Sequence, residues 1–220
     1  MTESNTIPAD DFAAMRAAMV ASQLRPNGVT GLALLEAMGR VPRESFVPEA
    51  RRVIAYTDRA IPLGNGRALN PPMTTALLLN AADIGADSRV LIVGAATGYA
   101  TALASSMASY VVGIECDPTM VALAAANVPT ARIIESDLET GVPVHGPYDA
   151  IVIDGAVEFV PDALIAQLAP GGRLTTALVE GNVTRLAVGR RGGTGFALAA
   201  FVDAEAVVLP GFVRPREFVF

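Results

Sequence analysis

The sequence predicts one α/β domain with a doubly wound, mainly parallel sheet, an antiparallel C-terminal hairpin and an N-terminal helical extension. After residue 85, short apolar runs alternate with helical segments in the order expected of βαβαβ units. The runs VLIV, YVVGI and AIVI are continuously apolar, which is typical of parallel strands covered by helices on both faces. A length of 220 residues with 52% hydrophobic side chains suits a single globular domain.

Residues 1–85 form the predicted helical extension. Apolar residues recur at helical spacing over 10–24, and a second helix is expected from Thr30 through Met38. Residues 61–72, IPLGNGRALNPP, are rich in Gly, Pro and Asn and predict an irregular loop. The apolar segment MTTALLLNAADI that follows predicts a further helix.

Residues 86–220 form the predicted core. Strands are expected at RVLIVG, YVVGIE, ARIIES and YDAIVIDGA, with helices at YATALASSM and DPTMVALAAANV. A short helix over 161–168, ended by Pro170-Gly171-Gly172, precedes the strands RLTTALVE, VTRLAVGRR and FALAAFV. Gly192-Gly193 between the last two strands indicates the hairpin. The stretch 90–114 carries no charge and is long enough to cross a bilayer, but its polar residues favour strand, turn, helix and strand.

Composition excludes several classes of function. All 16 basic residues are arginine, so lysine Schiff-base and Walker-type phosphate chemistry are excluded. The single Cys116 and single His145 cannot build a disulfide or a Cys/His zinc site, and no metal is expected. A net charge of −6 without charge runs disfavours nucleic acid and membranes as partners. The N-terminus lacks the features of a secretion signal, and a cytoplasmic location is expected.

The segment after the first core strand carries the strongest functional signal. Small residues from Gly94 to Gly98 let a ligand approach the backbone at the switch point of an open sheet. Glu115 ends the next strand and is placed to bind two ribose hydroxyls, which together predicts an adenosine-like ligand. Asp137, after the third strand, could bond the adenine amino group. The alternatives are glycines that only form a tight turn, a solvated Glu115 and a turn-capping Asp137.

Several blocks of the chain resemble the protein-L-isoaspartate O-methyltransferase family of class I S-adenosylmethionine-dependent methyltransferases. The blocks are MVASQL, AMGRVPRESFVPEA, IPLGNGRALNPP, VLIVGAATGYAT, SDLETG, PYDAIVIDGA and P-x-x-L-x-x-QL-x-PGG. The resemblance implies a Rossmann-like methyltransferase that repairs damaged proteins by methylating the side-chain carboxylate of isoaspartyl residues. Its cofactor would be S-adenosylmethionine, converted to S-adenosylhomocysteine, and its partner an isoaspartyl peptide or protein.

The family's site residues carry over onto two groups of positions. The expected cofactor-binding residues are Leu69, Gly94, Ala95, Ala96, Gly98, Tyr99, Glu115, Cys116, Asp137 and Leu138. The candidate catalytic residues are Arg67, which could pair with the acceptor carboxylate bidentately, and Asn70, which could donate a hydrogen bond to it. Because the transfer is an in-line displacement by a carboxylate, position and desolvation matter more than acid–base help. A Gly98→Val substitution is accordingly expected to damage cofactor binding more than folding.

Departures from the family pattern leave the acceptor open. The loop GNGRALNPP stands where the family shows GQTISQP, Ile92 replaces a Glu, and Ala96 replaces the middle glycine of the turn. Asp154-Gly155-Ala156 replaces Thr-Ala-Ala; Asp154 also matches metal-assisted O-methyltransferases, but their following Asp-Asn pair is absent and magnesium is not expected. The chain could therefore methylate a different, unidentified acceptor, or be a catalytically silent homologue that binds the cofactor.

Overall fold

The computed structural model describes residues 8–193 and 195–214. Within them the chain forms six α-helices: α1 (Ala9–Ala18), α2 (Leu32–Arg40), α3 (Pro72–Ala82), α4 (Tyr99–Ser105), α5 (Pro118–Asn127) and α6 (Asp162–Ala166). The nine strands are β1 (Ile61–Gly64), β2 (Arg67–Leu69), β3 (Arg89–Val93), β4 (Tyr110–Glu115), β5 (Arg132–Glu135), β6 (Tyr148–Val157), β7 (Leu168–Glu180), β8 (Val183–Arg191) and β9 (Phe196–Asp203). The expectation about a secretion signal rests on residues 1–12, of which 1–7 lie outside this description.

Seven strands form one sheet in the order β5-β4-β3-β6-β7-β8-β9. The first five run parallel, whereas β8 pairs antiparallel with both β7 and β9. This confirms the predicted doubly wound sheet and its antiparallel C-terminal hairpin. The chain leaves β3 toward β4 and later returns to the other side of β3 through β6, so the switch point lies at the carboxyl end of β3.

The sheet is buried on both faces, as the continuous apolar runs predicted. Along β3, Val90 and Ile92 pack into one core, which includes the N-terminal helices, while Leu91 and Val93 pack into a second core on the opposite face. The uncharged stretch 90–114 divides into β3, α4 and β4, as expected. The division of the domain at residues 85 and 86 stays a prediction.

The N-terminal extension contains the predicted helices with one difference at residues 61–72. The first helix continues past α1 as a π-helical turn, Met19–Leu24. The expected irregular loop is instead a hairpin of β1 and β2, with Ile61 paired to Leu69. Gly64, Asn65 and Gly66 all have positive φ and form its turn. Asn-Gly between two short alternating segments was the hairpin signal that the loop prediction overlooked.

The C-terminal half follows the prediction with a shift near residue 168. Helix α6 ends at Ala166, and β7 already begins at Leu168, before the Pro-Gly-Gly segment that was expected to end the helix. Helix α5 begins as predicted: the Asp117 side chain accepts from the N–H groups of Thr119 and Met120, and Pro118 takes the first helical position.

Candidate functional site

The turn between β3 and α4 is closed by its own backbone. The N–H groups of Gly94 and Ala95 donate to the Ile114 carbonyl at 3.0 and 2.9 Å, which ties the turn to β4. The Gly98 N–H donates to the Ala95 carbonyl at 2.8 Å. Gly94 and Gly98 have φ of 80° and 101°, and Ala96 has φ of 48° although it is not glycine. The turn is therefore a fixed backbone cradle at the carboxyl end of β3.

Glu115 lies at the end of the neighbouring strand and is fully buried. Its carboxylate accepts from the N–H of Ala96 at 2.8 Å and from the N–H of Cys116 at 2.9 Å. The turn and the acid that the sequence proposed as one nucleoside site are thus joined directly. The alternative of a solvated Glu115 does not describe this structure.

Arg67 of β2 donates further hydrogen bonds to the Glu115 carboxylate. Its Nε and Nη2 donate to the two carboxylate oxygens at 3.1 and 2.7 Å, and 4% of the Arg67 side chain is exposed. Burial alone would raise the pKa of Glu115, but the Arg67 guanidinium and the backbone N–H groups of Ala96 and Cys116 hold it below its ordinary value. Glu115 is a carboxylate whose two oxygens already hold a bidentate partner.

A C-terminal segment, residues 204–214, covers the same cleft. It is attached to the end of β6, where the Ala156 N–H donates to the Val207 carbonyl at 2.7 Å and the Leu209 N–H donates to the Ala156 carbonyl at 2.9 Å. Leu209 is 2% exposed. A Cβ on Gly94 would lie 3.0 Å from Leu209 Cδ1, and one on Gly155 would lie 2.5 Å from its Cγ. The Leu209 side chain therefore fills the space in front of both glycines.

The expected adenine side of the site is a small cavity. Cys116, Asp137 and Leu138 line a space of about 200 Å³ together with Pro210 and Gly211 of the C-terminal segment. Ligand pockets commonly measure about 300–1,000 Å³. The proposed adenine residues are thus brought together, and the C-terminal segment narrows the space between them.

Asn70 lies on the other side of the cleft and is 1% exposed. Its Nδ2 donates to the backbone carbonyl and the Oδ1 of Asp154 at 2.7 and 3.0 Å, and its Oδ1 accepts from the Val207 N–H at 2.8 Å. Thr75 Oγ1 also donates to Asp154 Oδ1, at 3.0 Å. Burial raises the pKa of Asp154 despite these donors. The Asn70 amide is engaged within the protein and does not point an unused donor toward an acceptor.

Three other expected cofactor residues are buried and pack against the protein interior. Tyr99 packs edge-to-face on Phe46, with ring centroids 5.5 Å apart, and Leu69 belongs to the core with the N-terminal helices. A Cβ on Gly98 would lie 2.9 Å from Cγ2 of Val128, the residue that follows α5. Gly98 therefore also serves its own backbone angle and the packing against α5, and the expectation that Gly98→Val damages cofactor binding more than folding stays a prediction.

Sequence reasoning did not find the residues that close the cleft. Leu209 is one apolar residue before a Pro-Gly turn, and Asn65 is one polar residue in a hairpin tip. The structure places Asn65 Nδ2 at 2.9 Å from Asp117 Oδ2, so the hairpin is held at its tip as well as through Arg67. These contacts join residues about 50 positions apart, and no local pattern predicts them.

Two other kinds of site are absent from the described residues. Across 8–193 and 195–214 no group of three or more His, Cys, Asp or Glu side chains is arranged to hold a metal ion. In the same residues no helix combines the length and apolar character needed to cross a bilayer.

The fold is a Rossmann-like α/β domain in which the glycine turn and Glu115 meet at the switch point, an arrangement typical of nucleotide-binding folds. The family model for protein-L-isoaspartate(D-aspartate) O-methyltransferase matches residues 15–198. The chain belongs to this family.

Individual relatives agree with the family match. Protein-L-isoaspartate O-methyltransferase 2 of Marinobacter nauticus is 36% identical over 91% of this chain and 95% of its own length. Protein-L-isoaspartate O-methyltransferase of Methylorubrum populi is 38% identical over 89% of this chain and 95% of its own length.

Solved structures support the fold. A protein-L-isoaspartate O-methyltransferase aligns with a TM-score of 0.77 at 20% identity, covering 91% of this chain and 66% of that one. A Plasmodium falciparum protein of the same description, in complex with S-adenosyl-L-homocysteine, aligns with a TM-score of 0.74 at 22% identity, covering 88% and 97%.

Two side chains in this cleft, Arg67 and Leu209, do not fit the family's cofactor S-adenosylmethionine. The turn and Glu115 are of the right types, but Arg67 holds the carboxylate that ribose hydroxyls would need. Leu209 fills the space in front of Gly94. In this arrangement the cofactor would have to displace both side chains from the glycine turn and Glu115.

Proposed function

We propose that this chain is an S-adenosylmethionine-dependent O-methyltransferase that methylates the carboxylate of isoaspartyl residues in damaged proteins. The observation that carries the proposal is the 2.8 Å hydrogen bond from the Ala96 N–H to Glu115, which unites the two halves of a nucleoside site. Family membership over residues 15–198 supports the reaction type, and the acceptor follows from the relatives' names. A cytoplasmic location, consistent with the single cysteine of the sequence, completes the proposal.

The cofactor side of the site supports this function best. The turn backbone is fixed by its bonds to β4, so the shape of the turn is set before a ligand binds. Asp137 and Leu138 lie beside Cys116 at the ends of the next strands, where the family places its adenine contacts. We keep Gly94, Ala95, Ala96, Glu115 and these three residues as the proposed cofactor set.

A second candidate is the same reaction on a different acceptor, and the surroundings of Asp154 favour it. Asp154 places an added carboxyl beside Asn70, at the side of the cleft where the acceptor is expected. A carboxylate acceptor would meet like charge there unless Asp154 is protonated, toward which its raised pKa tends. An Asp154→Asn variant keeps an acceptor oxygen for Thr75 and removes the charge, so it should favour a carboxylate substrate if this repulsion matters.

The test is transfer of labelled methyl from S-adenosylmethionine to three substrates: an isoaspartyl peptide, the same peptide with normal aspartate, and a cell lysate. The proposal expects base-labile methyl ester on the isoaspartyl peptide and none on the same peptide with normal aspartate. Label on lysate components but on neither peptide would instead support the second candidate. No transfer from the wild type or from a variant with Arg67→Gln and Leu209→Ala, while S-adenosylhomocysteine binds, would leave a silent homologue and reject both candidates.

A further inference from the structure

Two side chains of this protein occupy the places that the cofactor would need. The Arg67 guanidinium holds both oxygens of Glu115, and Arg67 Nη2 lies 3.5 Å from the Cβ position of Gly94. Leu209 approaches the same position to 3.0 Å. The ribose-side acid and the space in front of the glycine turn are thus filled from two different segments of the chain.

These two segments form one hydrogen-bonded unit. The hairpin of β1 and β2 is held to the start of α5 through Asn65 and Asp117, at 2.9 Å. The residue that follows β2, Asn70, accepts from the Val207 N–H of the C-terminal segment at 2.8 Å. A movement of either segment away from the cleft would therefore disturb the other.

The closed arrangement also contains an unsatisfied group. Among the described residues, Arg67 Nη1 is buried and has no hydrogen-bond partner. A buried donor without a partner costs free energy, which partly offsets the gain from the bidentate pair. A ligand that offers new hydrogen-bond partners to Arg67 and Glu115 can therefore separate this ion pair at a lower cost in free energy.

We propose that Arg67 and Leu209 form an intramolecular plug of the cofactor cleft, which S-adenosylmethionine or S-adenosylhomocysteine must displace in order to bind. The inference rests on the proposed function only in taking this cleft to be the cofactor site. The cofactor can bind only to the fraction of molecules in which the plug has opened. The apparent Kd is therefore the intrinsic Kd divided by that fraction. The plug is a property of this sequence, since Arg67 stands where the family loop shows Gln.

Calorimetric titration with S-adenosylhomocysteine tests the plug without any acceptor or turnover. The variants are Arg67→Gln, which can still donate one hydrogen bond to Glu115, Leu209→Ala, and both together. Arg185→Gln is the matched control, because Arg185 is an exposed arginine in ion pairs on β8 and its loss changes the net charge equally. Circular dichroism and urea midpoints verify that each variant is folded. If Leu209→Ala does not fold, the affinity of Arg67→Gln alone decides the outcome.

We expect Arg67→Gln to bind S-adenosylhomocysteine about tenfold or more tightly than the wild type, since a plugged cleft is competent in only a minor fraction of molecules. The double variant should bind more tightly still, and Arg185→Gln should bind as the wild type does. An affinity of Arg67→Gln equal to or below that of the wild type overturns the plug. Absence of binding in every folded variant overturns it as well, because opening the cleft would then restore nothing. Methyl transfer does not enter either outcome, so failure of the proposed function would be seen separately.

Discussion

Replacing Arg67 by Met should expose how much the buried ion pair contributes to stability. The substitution keeps an unbranched apolar stem but leaves the fully buried Glu115 carboxylate without its guanidinium. Removing one partner of a buried pair costs about 3–5 kcal/mol. Because the N–H groups of Ala96 and Cys116 still bind the carboxylate, we expect the lower end, about 3 kcal/mol at pH 7. In a domain of this size that lowers Tm by roughly 6–12 °C.

The pH dependence of this loss has a definite sign. In the wild type the pKa of Glu115 is lowered, so its contribution to stability is present above its ordinary pKa of about 4.3 and is lost as pH falls through the folded value. In Arg67→Met the guanidinium no longer offsets the cost of burying the charged Glu115 carboxylate, so the pKa of Glu115 should rise. Protonation at lower pH then removes the buried charge and restores part of the lost stability. The difference in the free energy of unfolding between the two proteins should therefore shrink from pH 7 to pH 4.

Urea unfolding of both proteins at pH 7, 5 and 4 measures this difference. Arg185→Met is the control, since its ion pairs with Glu180 and Asp203 are exposed and should change stability by no more than about 0.5 kcal/mol. A loss below about 0.5 kcal/mol for Arg67→Met at pH 7 would mean that the guanidinium is not the partner of a buried carboxylate. A loss that stays the same at pH 7 and pH 4 would refute the electrostatic account.

Three further variants probe other parts of the site. Gly98→Val should reduce soluble yield and the urea midpoint severely, because φ is 101° and a Cβ would lie 2.9 Å from Val128 Cγ2; a normal midpoint would contradict this packing role. Phe212→Ala, at a residue 1% exposed, should speed amide hydrogen exchange at Leu209 more than it lowers global stability, and unchanged exchange there would show that Phe212 does not anchor the segment. Asn70→Ser should cost about 1–3 kcal/mol in urea unfolding, because the buried Asp154 carboxyl loses one of its two side-chain donors and the half-buried Val207 N–H loses its acceptor; an equal midpoint would refute that bonding.

The sheet could be predicted from the sequence because its signals are local. The apolar run of each parallel strand, the Asp117-Pro118 start of α5 and the Gly192-Gly193 hairpin each lie within a few neighbouring residues. The turn at Gly94 and the acid at Glu115 could be paired as well, since their separation of 21 residues fits one strand, one helix and the next strand.

The closure of the cleft could not be predicted, because it depends on contacts between distant segments. Arg67 and Glu115 are 48 positions apart, and Asn70 and the Val207 N–H are 137 apart. Each of these residues alone is compatible with a solvated loop or with substrate binding. Only the folded arrangement shows that the Arg67 guanidinium, which was expected to pair with the acceptor carboxylate, pairs with Glu115 on the cofactor side of the cleft.

The departures from the family pattern are physically coupled. Where the family shows Gln and Ser in the loop and Thr after the fourth core strand, this chain has Arg67, Asn70 and Asp154. Asn70 donates to Asp154, and both Asn70 and Arg67 extend from the β2 segment that the C-terminal residues hold in place. Reverting Asn70 alone would remove one of the two side-chain donors to the Asp154 carboxyl, and reverting Asp154 alone would remove an acceptor from the Asn70 amide. Asn70 and Asp154 therefore depend on each other, and a change of acceptor specificity at this side of the cleft is expected to need both positions to change together.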